Sequence, residues 1–474
     1  MRTGKKVEVK DVPEFKKQLL HWAQQFEEVV WLDSNNYKDK YSKYDAVLAV
    51  EAFTAIKTDY HHAFDQLLEY QTLTADWIFG YLSYDLKNDI EDLTSENFDG
   101  LHFPEMYFFQ PKKIFLLKDN ELEMQYLRMA DDEMEEDLEE ILKVRGERLM
   151  VSAGFDKREE NKDKRPDFTR DDKNSQLSAE NLQPSTHNSQ LTTSNIQPRL
   201  SRNTYLEKVN KMQWHIQRGD IYEANFCQEF YVENAEIDPL GTFESLNTIS
   251  NPPFAALLKL EKNYLFSASP ERYLQKQGNK IISQPIKGTA GRAEDPVEDE
   301  QLRKALENDP KERSENVMIV DLVRNDLSKT GKKGSVEVEE LCKIYTFRQV
   351  HQMISTVTSQ LAEGIPAVEV LRSTFPMGSM TGAPKISAMK IIEELEESKR
   401  GLYSGAVGYF TPQNDFDFNV VIRSILYNKK LKYASFSVGS AITSKSIPEK
   451  EYEECLLKAK AMREVLENQL EEQG

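Results

Sequence analysis

Residues 374–396 read TFPMGSMTGAPKISAMKIIEELE, a small-residue turn that runs into an amphipathic helical pattern. Gly378 and Gly382 flank Thr381, and Pro384 stands where a first helical turn tolerates a missing amide proton. Such a junction opens backbone N–H groups toward an anion at the helix N-terminus, although a well-capped structural helix has the same pattern. What the chain places around this segment decides between the two.

The chain has 474 residues, enough for two or three average domains or for one large β-rich body. Its 61 basic and 80 acidic residues give a formal charge of −19, which argues against a nucleic-acid or anionic-membrane partner. No apolar run reaches the length of a membrane span, and the start MRTGKKVEVKDVPEF has no apolar signal core, so a cytoplasmic location is expected. Cys227, Cys342 and Cys455 are far apart and form no CxxC pair, which suggests neither a disulfide framework nor a zinc site.

Composition divides the chain in three. Residues 1–155 mix strand-like segments (VVWLDS, AVLAVEAFTAI) with the helical pattern EFKKQLLHWAQQFEE, and end in an acidic, exposed helix. Residues 156–200 are polar, nearly free of aromatics and unpatterned, as in a linker or long surface loop. In residues 201–470 short β segments alternate with helices, beginning with SRNTYLEKVNKMQWHIQRGD.

Several features of this last region could carry chemistry. In QPIKGTAGR (284–292), Pro285 holds the chain extended and Gly288 permits close approach of a ligand, so Lys287 is displayed between them. Glu312 and Glu315, and separately Glu451 and Glu454, have helical i,i+3 spacing and can point paired oxygens at one cation; in so acidic a chain each pair also fits a solvated face. Lys458 follows Glu454 by four residues, as an ordinary ion pair or as a cation beside the same site. SGAVGYF (404–410) and DFDFNVVIRSI (415–425) read as adjacent strands offering Tyr409 and Arg423, and SVGSAIT (437–443) reads as a small-residue turn with free amides at Gly439 and Ser440.

SASPERYL, QPIKGTAGR, MIVDLVRNDLS, TFPMGSMTGAPKISAMKIIEELE, GLYSGAVGYF and EYEECLLKAKA occur in an order and spacing that resemble the chorismate-utilising enzymes, the family of anthranilate synthase component I. The resemblance is close over about residues 201–465 and looser before. It implies an α+β fold of two packed antiparallel sheets flanked by helices, with strands contributed by the N-terminal region. It also implies an enzyme acting on chorismate with Mg²⁺. Members that hydrate chorismate carry a lysine base where this chain has Glu223, and those that form anthranilate have alanine where it has Lys287. Lysine at the latter place resembles the branch that forms 4-amino-4-deoxychorismate, on the route to para-aminobenzoate and folate.

By that resemblance Lys287 is the covalent nucleophile toward C2 and Glu271 the proton donor to the departing C4 hydroxyl. Glu315 and Glu454 would be direct Mg²⁺ ligands, with Glu312 and Glu451 acting directly or through water. Gly288, Thr289, Thr381, Gly439, Ser440 and Lys458 would surround the ring carboxylate, while Tyr409 and Arg423 would hold the enolpyruvyl carboxylate. To attack, Lys287 must be neutral, and burial or the metal charge is expected to lower its pKa. Gln352 replaces a family histidine, with His351 one residue out of register, which favours a reaction without loss of pyruvate. The absence of a GxCxG segment implies a separate glutamine amidotransferase partner. Ser34, Tyr41, Tyr44, Pro253, Phe254 and Ala255 match, loosely, a tryptophan-binding segment of some members. Anthranilate synthase component I, or a non-catalytic chorismate-binding subunit, are the competing readings.

Overall fold

The computed structural model describes residues 1–38, 40–144, 196–348 and 350–471. The expected linker at 156–200 thus lies mostly outside the described residues. Its last part is ordered against the body, because Gln197–Pro198 pairs with Phe230–Tyr231. The described residues before and after this gap form one compact unit.

The long strand Met106–Lys118 is the hub from which two wings of antiparallel sheet diverge. Through Ala46–Thr58 it leads to Glu28–Asp33, Phe254–Leu260, Asn263–Ser269, Ser424–Asn428, Tyr433–Ile442 and Glu223–Val232. Through Ile78–Leu82 it leads to Ala406–Phe410, Phe416–Val420, Arg272–Gln277, Lys280–Ser283 and Val350–Gln360. On the Val350–Gln360 strand, Ile286–Gly291 continues one edge and Glu337–Thr346 takes the other. The N-terminal segments supply strands to both wings.

Why the wings pack is legible in strand periodicity, since successive side chains leave a strand on opposite faces. Val30, Ala49, Leu258 and Leu265 of the first wing share a core with Phe79, Val407, Phe418 and Leu274 of the second. Their chain neighbours Val29, Leu48, Leu257 and Phe266 face the other way, onto Leu19, Met212, Met462 and Leu466 of flanking helices. Two packed antiparallel sheets flanked by helices result, as expected.

Local signals place the helices that carry the acidic pairs. Asp309 caps Pro310–Ser328 by accepting from the amides of Lys311 (2.8 Å) and Glu312 (3.0 Å), with Pro310 at the position that needs no donor. Pro448–Glu471 packs on Tyr433–Ile442 and carries Glu451, Glu454 and Lys458.

Gly382 pairs with Ala224 so closely that a Cβ on it would stand 2.1 Å from the Glu223 carbonyl oxygen and 2.8 Å from the Ala224 Cα. Backbone cannot yield as a side-chain tip can. Gly382→Ala is expected to cost about 2–4 kcal/mol of stability, read from urea unfolding followed by circular dichroism. An unchanged midpoint would show that this contact is not a fixed feature.

Candidate active site

Lys287 lies on the short strand Ile286–Gly291, where pairing with Val350–Gln360 shifts register between Ile286 and Thr289. Gly288 takes up that shift with φ +98°, a conformation that favours glycine, and packs against Glu312 and Met353. The side chain is not displayed to solvent: it is 12% exposed, and its Nζ donates to Glu223 Oε1 at 3.0 Å. Glu223 is 2% exposed and its Oε2 is buried without a hydrogen-bond partner.

Burial and neighbouring charges act on Lys287 in opposite directions. Burial, the largest influence, lowers it, but Glu223, Glu315 and Glu271 together outweigh burial and hold it above the ordinary lysine value. Lys287 thus sits among carboxylates that favour its charged form. Glu271, also buried, is pushed up to about 7 by desolvation, against smaller opposing effects of Ser379, Lys287 and the Ile286 amide. Such a carboxyl group can hold a proton near neutrality and give it up.

The two acidic pairs converge from different helices. Glu315 is pushed up to about 7, first by burial, and its Oε1 is buried without a hydrogen bond, 3.7 Å from the Lys311 ammonium. Lys311 feels the charge of Glu315, Glu451, Glu312 and Glu454 together. Glu451 is buried, whereas Glu454 is half-exposed and pairs with Lys458 at 2.6 Å. Among the described residues no three acidic, His or Cys side chains are gathered into a ligand shell. The oxygen donors and the unbonded Glu315 Oε1 nevertheless suit a hard divalent cation.

Residues 16–464 match the family model for chorismate binding enzyme. The chain belongs to that family. It is similar to aminodeoxychorismate synthase component 1 of Salmonella typhimurium, 39% identical over 269 residues, or 57% of this chain and 59% of that one. Aminodeoxychorismate synthase, chloroplastic, of Arabidopsis thaliana is 40% identical over 56% of this chain and 29% of its own. Anthranilate synthase component 1 2 of Haloarcula marismortui is 40% identical over 53% and 47%. The match thus spans less than two thirds of these relatives. The fold is shared with anthranilate synthase component I from Streptococcus pneumoniae TIGR4 (TM-score 0.69, 23% identity, 90% of this chain and 93% of that one). It is shared also with MenF, the menaquinone-specific isochorismate synthase from Escherichia coli (TM-score 0.71, 17% identity, 98% and 94%).

Within this chorismate-binding fold several sequence expectations need correction. Tyr409 does not share the Lys287 site; it lies on the Ala406–Phe410 strand and faces the packed rings of Trp77 and Phe79. Beside Arg423 stands Tyr403 instead, buried in the turn before that strand. Both tyrosines belong to GLYSGAVGYF, and only the strand boundary at Ala406 tells them apart. Gly439 and Ser440 are in no turn. They sit mid-strand in Tyr433–Ile442, opposite Cys227 and Phe226, and the Gly439 carbonyl accepts from Lys458 Nζ at 2.9 Å. The Thr381 hydroxyl is turned to the Met377 and Gly378 carbonyls, so it shapes the turn. Arg423, at φ +54°, leans on the Lys458 carbonyl of the helix that carries Glu454.

His351 is occupied elsewhere, between Thr346 (2.9 Å) and Asp299 (3.1 Å). Gln352 lies opposite Thr289, 5% exposed, with its Oε1 unbonded.

One positioning residue carries no recognisable sequence signal. Asn316 Nδ2 donates to the carbonyls of Lys287 (3.2 Å) and Met353 (3.1 Å), tying the glutamate-bearing helix to the lysine strand. It looks like any polar residue on an acidic helix, yet it is 1% exposed. Asn316→Leu, which removes these bonds and the acceptor of the Ser355 hydroxyl, is expected to cost about 2–3 kcal/mol in urea unfolding. A cost below about 0.5 kcal/mol, the usual range for surface changes, would deny it that role.

A half-open cleft lies outside the Lys287 site and is lined by Ser34, Tyr44, Pro253, Phe254 and Ala255. Tyr409, Arg272 and Asp417 complete its wall. Tyr41 is not part of it: its hydroxyl donates to Glu339, which also takes Lys40 and Lys280.

Proposed function

We propose that the chain converts chorismate and ammonia into 4-amino-4-deoxychorismate through a covalent adduct on Lys287. What supports this most is a buried lysine on a strand edge, with Glu271 on one side as an acid and four carboxylates on two helices nearby. Lys287 attacks C2 as the C4 hydroxyl leaves with the Glu271 proton; ammonia then enters at C4 and expels the lysine. Arg423, Tyr403 and Lys458 are the groups suited to hold the carboxylates of the substrate.

Glu315 and Glu454, assisted by Glu312 and Glu451, would hold Mg²⁺, which when bound supplies positive charge to neutralise a substrate carboxylate. Ammonia is expected from a glutamine amidotransferase subunit. Cys227, Cys342 and Cys455 are all buried, and burial pushes Cys227 up to about 12 and Cys455 up to about 11, unlike a glutaminase nucleophile. The half-open cleft offers aromatic walls with both charge signs, a setting for an aromatic amino acid such as tryptophan. No helix among the described residues is long and apolar enough to cross a membrane.

The test is product identity. With chorismate, Mg²⁺ and ammonium, the isolated chain is expected to release aminodeoxychorismate and no pyruvate, and to stay inactive when glutamine replaces ammonium. Anthranilate with stoichiometric pyruvate would overturn the reading in favour of the anthranilate-forming branch, and absence of any turnover would favour a non-catalytic subunit.

A further inference from the structure

The ion pair between Lys287 and Glu223 raises a chemical problem that also points to its solution. An ammonium has no lone pair, so Lys287, paired with Glu223 at 3.0 Å, must lose a proton before it can attack carbon. Its proton needs an acceptor within hydrogen-bond reach. Among the described residues, Glu223 is the carboxylate in direct contact with Nζ, at 3.0 Å. Glu271 must keep its own proton for the departing hydroxyl, and Glu315 belongs to the carboxylate set facing Lys311.

Glu223 is also held in place. It opens the strand Glu223–Val232, whose first residues pair with Gly382–Ala383, while the Tyr222 amide donates to the Ala383 carbonyl at 2.7 Å. Its second oxygen, Oε2, is buried without a partner. A carboxylate kept only to fix a lysine would be expected to satisfy both oxygens. One oxygen on Nζ and one without a partner leaves this carboxylate able to take up a proton.

We propose that Glu223 is the base that activates Lys287, a catalytic residue in addition to Lys287 and Glu271. This rests on the adduct-forming reading above. The Glu223 carboxylate takes a proton from the Lys287 ammonium, leaving a neutral amine and a carboxylic acid. The amine forms the N–C2 bond, both conjugated ring double bonds shift (C1=C2 to C1=C6, C5=C6 to C4=C5), and the C4–O bond breaks, with the hydroxyl leaving as water on the Glu271 proton. Ammonia then forms the C4–N bond, both double bonds shift back, and the C2–N bond breaks. Lys287 departs as the neutral amine and recovers its proton from Glu223, while the C4 ammonium returns one to Glu271. The sum is chorismate plus ammonia giving aminodeoxychorismate plus water.

The experiment follows single-turnover formation of the adduct by mass, on the peptide containing Lys287, with chorismate and Mg²⁺ but no ammonium. Glu223→Gln can still accept a hydrogen bond from Nζ but cannot take a proton; it is expected to form the adduct about 100-fold more slowly than the parent chain. Glu223→Ala is expected to lose it to a similar degree and to recover in part with added formate, which can stand in for the carboxylate. Thermal melting of both variants checks the fold, and the formate response reads the base function even if the alanine variant is less stable. An adduct rate in Glu223→Gln equal to that of the parent chain overturns the inference, because orientation alone would then suffice. Failure of the parent chain to form any adduct while it releases aminated product overturns the reading beneath it instead.

Discussion

Lys287→Ala is expected to abolish the chorismate adduct and to lower amination by a factor on the order of 1,000 or more, since the nucleophile itself is removed. The electrostatic consequence is separate. Lys287 is the cation among Glu223, Glu271 and Glu315, and its removal leaves buried carboxylates uncompensated, a change that destabilises strongly unless they take up protons. Lys287→Arg separates the two effects. It keeps the charge but offers no amine that can be deprotonated at neutral pH, so it is expected to melt close to the parent chain and still form no adduct. An arginine variant that aminates chorismate at the parent rate would rule out covalent catalysis by this residue.

How much of this site was legible in the sequence follows from the range of each interaction. The glutamate pairs were readable because helical spacing is local, and the Asp309 cap with Pro310 fixes their phase. The strand-like segments VVWLDS and AVLAVEAFTAI were legible too, and they form the strands Glu28–Asp33 and Ala46–Thr58. Charge state was not readable. Sequence suggested that burial or a metal charge would lower the Lys287 pKa, and burial does, but Glu223 opposes it most; that residue is 64 positions away in the chain and had been noted only as standing where relatives keep a lysine.

Tyr409 and Tyr403 show a second limit. They are six residues apart in one motif, and a strand that begins at Ala406 sends the first toward Trp77 and leaves the second beside Arg423. A boundary uncertain by a residue or two cannot decide between them. Gly439 and Ser440 failed for a related reason. A run of small residues signals a turn, but here it lets strands approach: a Cβ on Gly439 would stand 2.4 Å from Cys227 Sγ. Asn316 marks the limit of the approach, because its two carbonyl partners come from strands that meet only in the folded chain.

Glu271→Gln is expected to lower amination by about 10²–10⁴-fold, the usual worth of a positioned general acid. The parent chain supplies the matching pH dependence. Glu271 acts in its protonated form, and its pKa is raised to about 7 by burial, so the rate constant for adduct formation should fall with the protonated fraction as pH rises above about 7. Stability moves in the opposite sense for the variant. A carboxyl group whose folded pKa lies above its unfolded value of 4.5 binds its proton more tightly in the native state. The native state is therefore favoured at low pH, and that advantage is lost as pH climbs from about 4.5 through about 7. Ionised Glu271 thus carries a penalty of up to about 3 kcal/mol at pH 8, which glutamine does not pay. Glu271→Gln should unfold at higher urea than the parent chain at pH 8 and at similar urea at pH 5, while being far less active at both. A variant that lost activity and stability together at pH 8 would show that Glu271 holds the fold as an anion, and the proton donor would have to be sought elsewhere.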